Sequence, residues 1–350
     1  MIKEQKLKKI EDEEILKTIK SNGKYLNENE NIEIEFFGDK EFLANIENNN
    51  KNKLNNYLVG KYKNIYIGCL SLTQPFTREK FGLNKYFKDT FYLGQWKENL
   101  KDGIGFLKVK DDIVYIGNFV KNQFNGFGIL NNKINDFFYF GNFTDGIMDK
   151  GILYNNNTTV FYNGKFKDGK KNDKLCSYFD VKNNHIFIGE VKEDMFIKGY
   201  LSICKITEIK KENEVQTDIS IEKIIYFDKT DPNETKYKYF YEFDIEFNDK
   251  IQSIFFNVYQ EFFNLKSNHE NFNLDFLKNL ENTIKNNSYN KYLERYNPEE
   301  KFNLENHFIK NYEQYRSSFI KSENKLNLKE YENIVNSEPL IQNDSIIDLK

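Results

Sequence analysis

Histidine, cysteine and tryptophan are scarce in this 350-residue chain: it holds three His, three Cys and one Trp. His185, His269 and His307 lie in different segments, and no CxxC or HxxxH spacing accompanies them. The sequence therefore offers no metal-ligand set and no histidine-paired nucleophile, and no cofactor is expected. Cys69, Cys176 and Cys204 are odd in number and scattered. That excludes a disulfide framework and predicts reduced thiols that pack as small apolar groups in a reducing compartment. No apolar run approaches the roughly 20 residues of a membrane span. The opening "MIKEQKLKKIEDEEILKTIK" is too charged for a signal peptide, so a cytoplasmic protein is expected. A net charge of −3 without a clustered basic face argues against nucleic acid as a partner.

What is abundant is Phe and Tyr, 33 and 23 residues, arranged at a period. "YLGQWKENLKDGIGFL" from Tyr92 returns as "YIGNFVKNQFNGFGIL" from Tyr115, "YFGNFTDGIMDKGIL" from Tyr139, "YNGKFKDGKKNDKL" from Tyr162 and "FIGEVKEDMFIKGYL" from Phe187. The leading aromatics are 23, 24, 23 and 25 residues apart, the mark of a repeat architecture. Strand side chains alternate, so Tyr92, Gly94 and Trp96 share one face, as do Tyr115, Gly117, Phe119 and Tyr139, Gly141, Phe143. Glycine weakens a strand unless something needs the space. Gly103 with Gly105, and Gly126 with Gly128, are read as slots over which aromatic rings lie flat. Asn99, Asn122, Gly146, Gly169 and Asp194 between the strands suit the positive φ of tight turns.

These residues resemble the MORN repeat (membrane occupation and recognition nexus), whose unit reads roughly YxGxW/FxxGxxxGxG. The match is closest at Tyr92 and Tyr115, holds at Tyr139 and Tyr162, and degrades at Phe187, where Val191 replaces the second aromatic. A degenerate unit begins at Tyr66 and Gly68, with a swollen turn and Gly82 alone of the glycine pair. The resemblance implies an α+β protein built on an elongated single-layer antiparallel sheet of consecutive β-hairpins. An N-terminal helix and a C-terminal α-helical region complete the expected fold. Residues 1–31 are read as helix and linker, 32–91 as lead-in strands and the degenerate repeat, and 92–204 as the repeats. A charged linker, "KITEIKKENEVQTD", and a capping hairpin around "DPNE" fill 205–248. From 249 to 350 the period turns helical: Ile251, Ile254, Phe255, Val258 and Phe262 make one stripe, Leu274, Leu277, Leu280 and Ile284 another, and Phe308, Tyr312, Tyr315 and Phe319 a third.

Catalytic signatures are missing where relatives of this kind carry an enzyme: there is no nucleotide loop, HRD, DFG or NHSC-like motif after 249. "GIGFLK" is flanked by strands on both sides, unlike a phosphate loop that opens a helix. The expectation is a non-enzymatic scaffold or adaptor. The resemblance suggests protein partners in a cytoskeletal assembly, at the ciliary axoneme or cell cortex. Two surfaces stand out. Ile104, Phe106 and Phe127 point away from the glycine slots and are expected to be left uncovered for a partner, with the helical tail packed around the hairpins starting at Tyr162 and Phe187. Lys165, Lys167, Lys170, Lys171 and Lys174 cluster at one hairpin tip against Asp168 and Asp173. They support the alternative, a peripheral module for anionic lipid, at about 1 kcal/mol per lysine near a membrane surface.

Overall fold

The computed structural model describes residues 17–19, 21–22, 24–27, 32–37, 57–62, 66–71, 77–87, 89–211, 214–229, 238–240, 252–262, 309–310, 312–314, 316–317, 320–321 and 332. The chain divides into two compact units, Met1–Ile134 with Tyr292–Gln314, and Asn135–Lys291 with Tyr315–Lys350.

In the first unit β1 (Lys24–Asn27), β2 (Ile32–Phe37), β3 (Tyr57–Tyr62), β4 (Tyr66–Leu70), β5 (Arg78–Phe87), β6 (Thr90–Lys97), β7 (Leu100–Val109), β8 (Ile113–Val120) and β9 (Gln123–Asn132) follow one another. Each pairs antiparallel with the next. In the second unit β10 (Phe137–Thr144), β11 (Ile147–Asn155), β12 (Val160–Lys167), the short β13 (Lys170–Lys171), β14 (Asp173–Asp180), β15 (His185–Lys192), β16 (Met195–Lys211), β17 (Glu214–Asp228) and β18 (Lys238–Phe240) do the same, β14 pairing with β12. Within each unit no pairing among the described residues joins the first strand to the last, so each sheet is open.

A row of glycines organises the register. Gly60, Gly68, Gly82, Gly94, Gly105, Gly117 and Gly128 stand opposite one another in turn, one per strand from β3 to β9. In the second unit Gly141, Gly151 and Gly164 continue the same way, and Gly189 faces Gly199. Tyr66, Tyr92, Tyr115 and Tyr139 each lay the ring over two glycines of the row, and Tyr162 over Gly164 alone. A Cβ on Gly94 or Gly105 would collide with Tyr92, and one on Gly117 or Gly128 with Tyr115. Tyr66 covers Gly68 and Gly82, Tyr139 covers Gly141 and Gly151, and Phe187 covers Gly189 and Gly199. The row has one side chain, Cys176 opposite Gly189, whose Sγ lies 3.2 Å from the Gly189 carbonyl.

The slot expectation therefore holds for Gly105 and Gly128 and is corrected for Gly103 and Gly126. Those two sit at φ +100° and +64°, and the Cβ of a substituted Gly126 would meet only Asn118, at 3.7 Å. The reason is a bulge. Gly94 pairs with Gly105 and Trp96 with Lys101, so Gln95 alone faces Asp102, Gly103 and Ile104; Asn118 repeats this opposite 125–127. The two extra residues turn the chain through a left-handed conformation. Lys80 (φ 54°) occupies the same place in β5.

The hairpin turns match expectation. Glu98-Asn99, Lys121-Asn122, Asp145-Gly146, Asp168-Gly169 and Glu193-Asp194 all have positive φ at both positions, the two-residue turn whose twist suits antiparallel strands. The stretch from 205 to 218 is a correction. Lys205–Lys211 continues β16 and pairs rung by rung with β17, from Lys205↔Ser220 to Lys211↔Glu214. Ile206 stands across from Ile219, and charged residues fill most of the other rungs. The turn at "DPNE" and the stripe from Leu274 to Ile284 lie outside the described residues, as does most of the N-terminal helix, of which 17–19 and 21–22 are helical. Helix α1 (252–262) buries Ile254, Phe255, Val258 and Phe262. Phe262 lies 5.3 Å from Phe161, and Tyr259 lies 5.3 Å from Phe179, on the strand face turned away from the glycine row.

Replacing Gly128 by Ala should cost about 2–3 kcal/mol, because the methyl group would have to displace the Tyr115 ring. Gly126→Ala should cost only about 1 kcal/mol, the left-handed backbone penalty. Urea unfolding midpoints of the two variants check this order; equal costs would refute the ring-slot assignment.

Candidate functional site

Each repeat tyrosine is held from below and at its tip, and most also from above. Below it is bare glycine backbone. At its tip the phenol donates to the carbonyl three residues on: Tyr66 to Cys69 at 2.8 Å, Tyr92 to Gln95 at 2.8 Å, Tyr115 to Asn118 at 2.9 Å, Tyr139 to Asn142 at 2.8 Å and Tyr162 to Lys165 at 2.7 Å. In the Tyr92, Tyr115 and Tyr139 hairpins that carbonyl belongs to the residue at the register shift. Above the rings of Tyr92, Tyr115, Tyr162 and Phe187 comes the residue nine places on. Lys101 Nζ lies 5.8 Å from the Tyr92 ring centre and Lys171 Nζ 5.8 Å from that of Tyr162. Phe124 stacks on Tyr115 at 3.8 Å and 11°, and Phe196 meets Phe187 at 4.2 Å. In the degenerate unit Arg78 does this work, its guanidinium 6.0 Å from the Tyr66 ring centre and 4.4 Å from that of Trp96, with its Nη1 donating to Asn84 Oδ1 at 2.7 Å. Edge-to-face contacts link Tyr66, Trp96, Tyr92, Phe119 and Tyr115 into one run.

The turn asparagines bind neighbouring hairpins together. Asn99 donates its N–H to the Arg78 carbonyl while its Oδ1 accepts from the Arg78 N–H at 2.8 Å; Asn122 repeats the exchange with Lys101. Asp194 does so with Lys171 in the second unit. Sequence reading assigned these positions to turn geometry alone and missed this second role. The recurrence of Asn with Arg or Lys 21 residues before it was the available signal.

Of the expected partner surface, Ile104 is half-buried, but Phe106 is only 1% exposed and Phe127 only 7%. Phe106 packs edge-on against Phe91 at 5.6 Å. Tyr312, from the C-terminal region, donates its hydroxyl to the Phe127 carbonyl at 2.9 Å and sets its ring 6.1 Å away. The expectation that these two rings stay uncovered is thus corrected: the chain itself covers them.

The lysine cluster is split in its roles. Lys171 is half-buried, engaged by the Tyr162 ring and by Asp194 at 3.6 Å. Lys170 reaches Glu193 at 4.0 Å with both side chains exposed, a pair of small worth. Lys165, Lys167 and Lys174 are exposed. The bulge-side Asp173 carboxylate accepts from the Lys165 backbone N–H at 2.9 Å, which keeps it inside the hairpin.

Among the described residues no group of His, Cys, Asp and Glu is arranged to hold a metal, and no helix is long and apolar enough to cross a membrane. The three cysteines are buried free thiols. Burial pushes the Cys176 thiol well above its ordinary range, which makes it unreactive as a nucleophile. Compared with protein-family models and with curated proteins, the chain matches none.

Burial, followed by the nearby Tyr86, Tyr115 and Asp102, raises the Tyr92 phenol well above its ordinary value, and burial does the same for Tyr162. A phenol raised in the folded state contributes stability that is complete below the unfolded value, about pH 10, and is lost as pH rises toward the folded value. Stability should accordingly fall above about pH 10. Tyr92→Phe should cost about 1 kcal/mol near neutral pH, through the carbonyl left without its donor. Its stability should also decline less steeply at alkaline pH, which urea midpoints measured between about pH 8 and 11 would reveal.

Proposed function

We propose that this chain is a non-enzymatic scaffold or adaptor of the MORN-repeat kind, docking protein partners along its hairpins in a cytoskeletal assembly such as a ciliary axoneme or the cell cortex. What supports the reading is the use to which its chemistry is put. Arg78, Lys101 and Lys171 bind rings and turn side chains within the fold, and the repeat tyrosines spend their hydroxyls on backbone carbonyls. The same interlock recurs hairpin after hairpin while the exposed residues vary around it. Such a framework holds different surface residues at fixed spacings, which is what a docking platform requires.

The exposed Lys165, Lys167 and Lys174 favour a second reading, a peripheral module for anionic lipid. Sedimentation of the full chain with anionic vesicles at rising salt separates the two. Scaffold function predicts that vesicle binding is gone at about 0.15 M salt, where exposed charges are screened within about 8 Å. It also predicts that the native protein copurifies with a protein partner in fixed ratio. Retention on vesicles at that salt with no such partner would overturn it.

A further inference from the structure

One exposed surface is not absorbed by the interlock. The rung Gly151↔Gly164 sets the alternation, so the neighbouring rung Lys150↔Lys165 turns its side chains to the opposite face, and Lys167 repeats that direction two residues on. Lys167 stands directly across from Lys170. Like charges on facing residues destabilise a sheet. Lys170 also reaches Glu193 at 4.0 Å, but as an exposed pair of small worth, so the ground around Lys165 and Lys167 remains one where an anion would be welcome. Exposed Lys192 lies on the next hairpin, paired with Met195. Apolar side chains flank the basic ground: Ile147 is 53% exposed on one side and Met195 60% on the other. Between them lie four strand-to-strand steps, from β11 through β12, β13 and β15 to β16, about 19 Å at about 4.8 Å each.

We infer that this turn-proximal face of β11–β16 docks an acidic segment of a partner protein, with apolar residues of that segment seated on Ile147 and Met195. The inference rests on the scaffold reading and names the chemistry of one partner. The occupant is argued from charge. Asp145, Asp168, Glu193 and Asp194 are exposed at the hairpin tips, a carboxylate rim that a flat anionic membrane would meet first. A single extended segment crossing the strands passes behind that rim, where Lys165, Lys167, Lys170 and Lys192 outnumber Glu190, the half-buried carboxylate that β15 turns to the same face. About six residues span about 20 Å, which matches the distance between the two apolar contacts.

The test uses the full chain and a fluorescein-labelled peptide of four glutamates between two leucines, followed by anisotropy at about 0.15 M salt. Saturable binding is expected. It should weaken at least about tenfold in Lys165→Glu/Lys167→Glu/Lys170→Glu and about threefold or more in Ile147→Ser/Met195→Ser, with unfolding midpoints unchanged because all five side chains are exposed. Absence of saturable binding overturns the inference, as does equal binding by the lysine variant. Equal binding of a peptide without the leucines overturns its apolar part. Retention on anionic vesicles that needs the same lysines, without peptide binding, would assign the surface to membrane instead. A partner that copurifies equally with wild type and lysine variant would leave the scaffold reading standing and remove this surface from it.

Discussion

A strand can place a ring flat against its neighbour only where the neighbour has no side chain, and this constraint runs through both units. The glycine row gives Tyr66, Tyr92, Tyr115 and Tyr139 two bare positions each, one on the tyrosine's own strand and one across, and gives Tyr162 one, Gly164. The ring then covers backbone that would otherwise be open to water, and its hydroxyl satisfies the carbonyl turned inward beside it. Because the ring also covers the glycine across from its own, a one-residue slip would put a side chain under it. Register is therefore specified by collision as much as by attraction.

From that contact the other features follow. The bulge beside each glycine pair reaims the chain and leaves the carbonyl that the phenol needs, which explains why tyrosine holds this position in five hairpins. The top of the ring remains open, and a cation or a second ring nine residues on closes it. The turn side chain that carries positive φ also reaches back to the hairpin before. With these positions committed to folding, variation is confined to the opposite face and the tips. On that face α1 meets Phe161 and Phe179 in one unit, and Tyr312 meets Phe127 in the other. Near the tips of β11–β16 the lysines and the exposed Ile147 and Met195 remain.

The repeat was legible because its contacts are local. Tyrosine, glycine two places on and an aromatic four places on lie on one strand, so period two exposes them directly. Gly103 and Gly126 were misassigned because alternation assumes a regular strand, and one bulge separates residues that counting by two places together. The fate of Phe106 and Phe127 depends on residues as distant in sequence as Tyr312, about which local pattern says nothing. Lys205 to Lys211 misled for another reason: a solvated strand and a solvated connection have the same composition, and only pairing with Glu214 onward tells them apart. In the lysine cluster composition gave the charge, whereas the commitment of Lys171 to Tyr162 and Asp194 required the fold.

If the glycine row exists to receive rings, a glycine and its tyrosine must be energetically coupled. A double-mutant cycle on Gly105→Ala and Tyr92→Ala, read from urea midpoints, measures that coupling most directly. The account predicts that Gly105→Ala is strongly destabilising beside the native tyrosine but nearly neutral once the ring is gone, a coupling of about 2 kcal/mol. Additive costs for the two substitutions would contradict it.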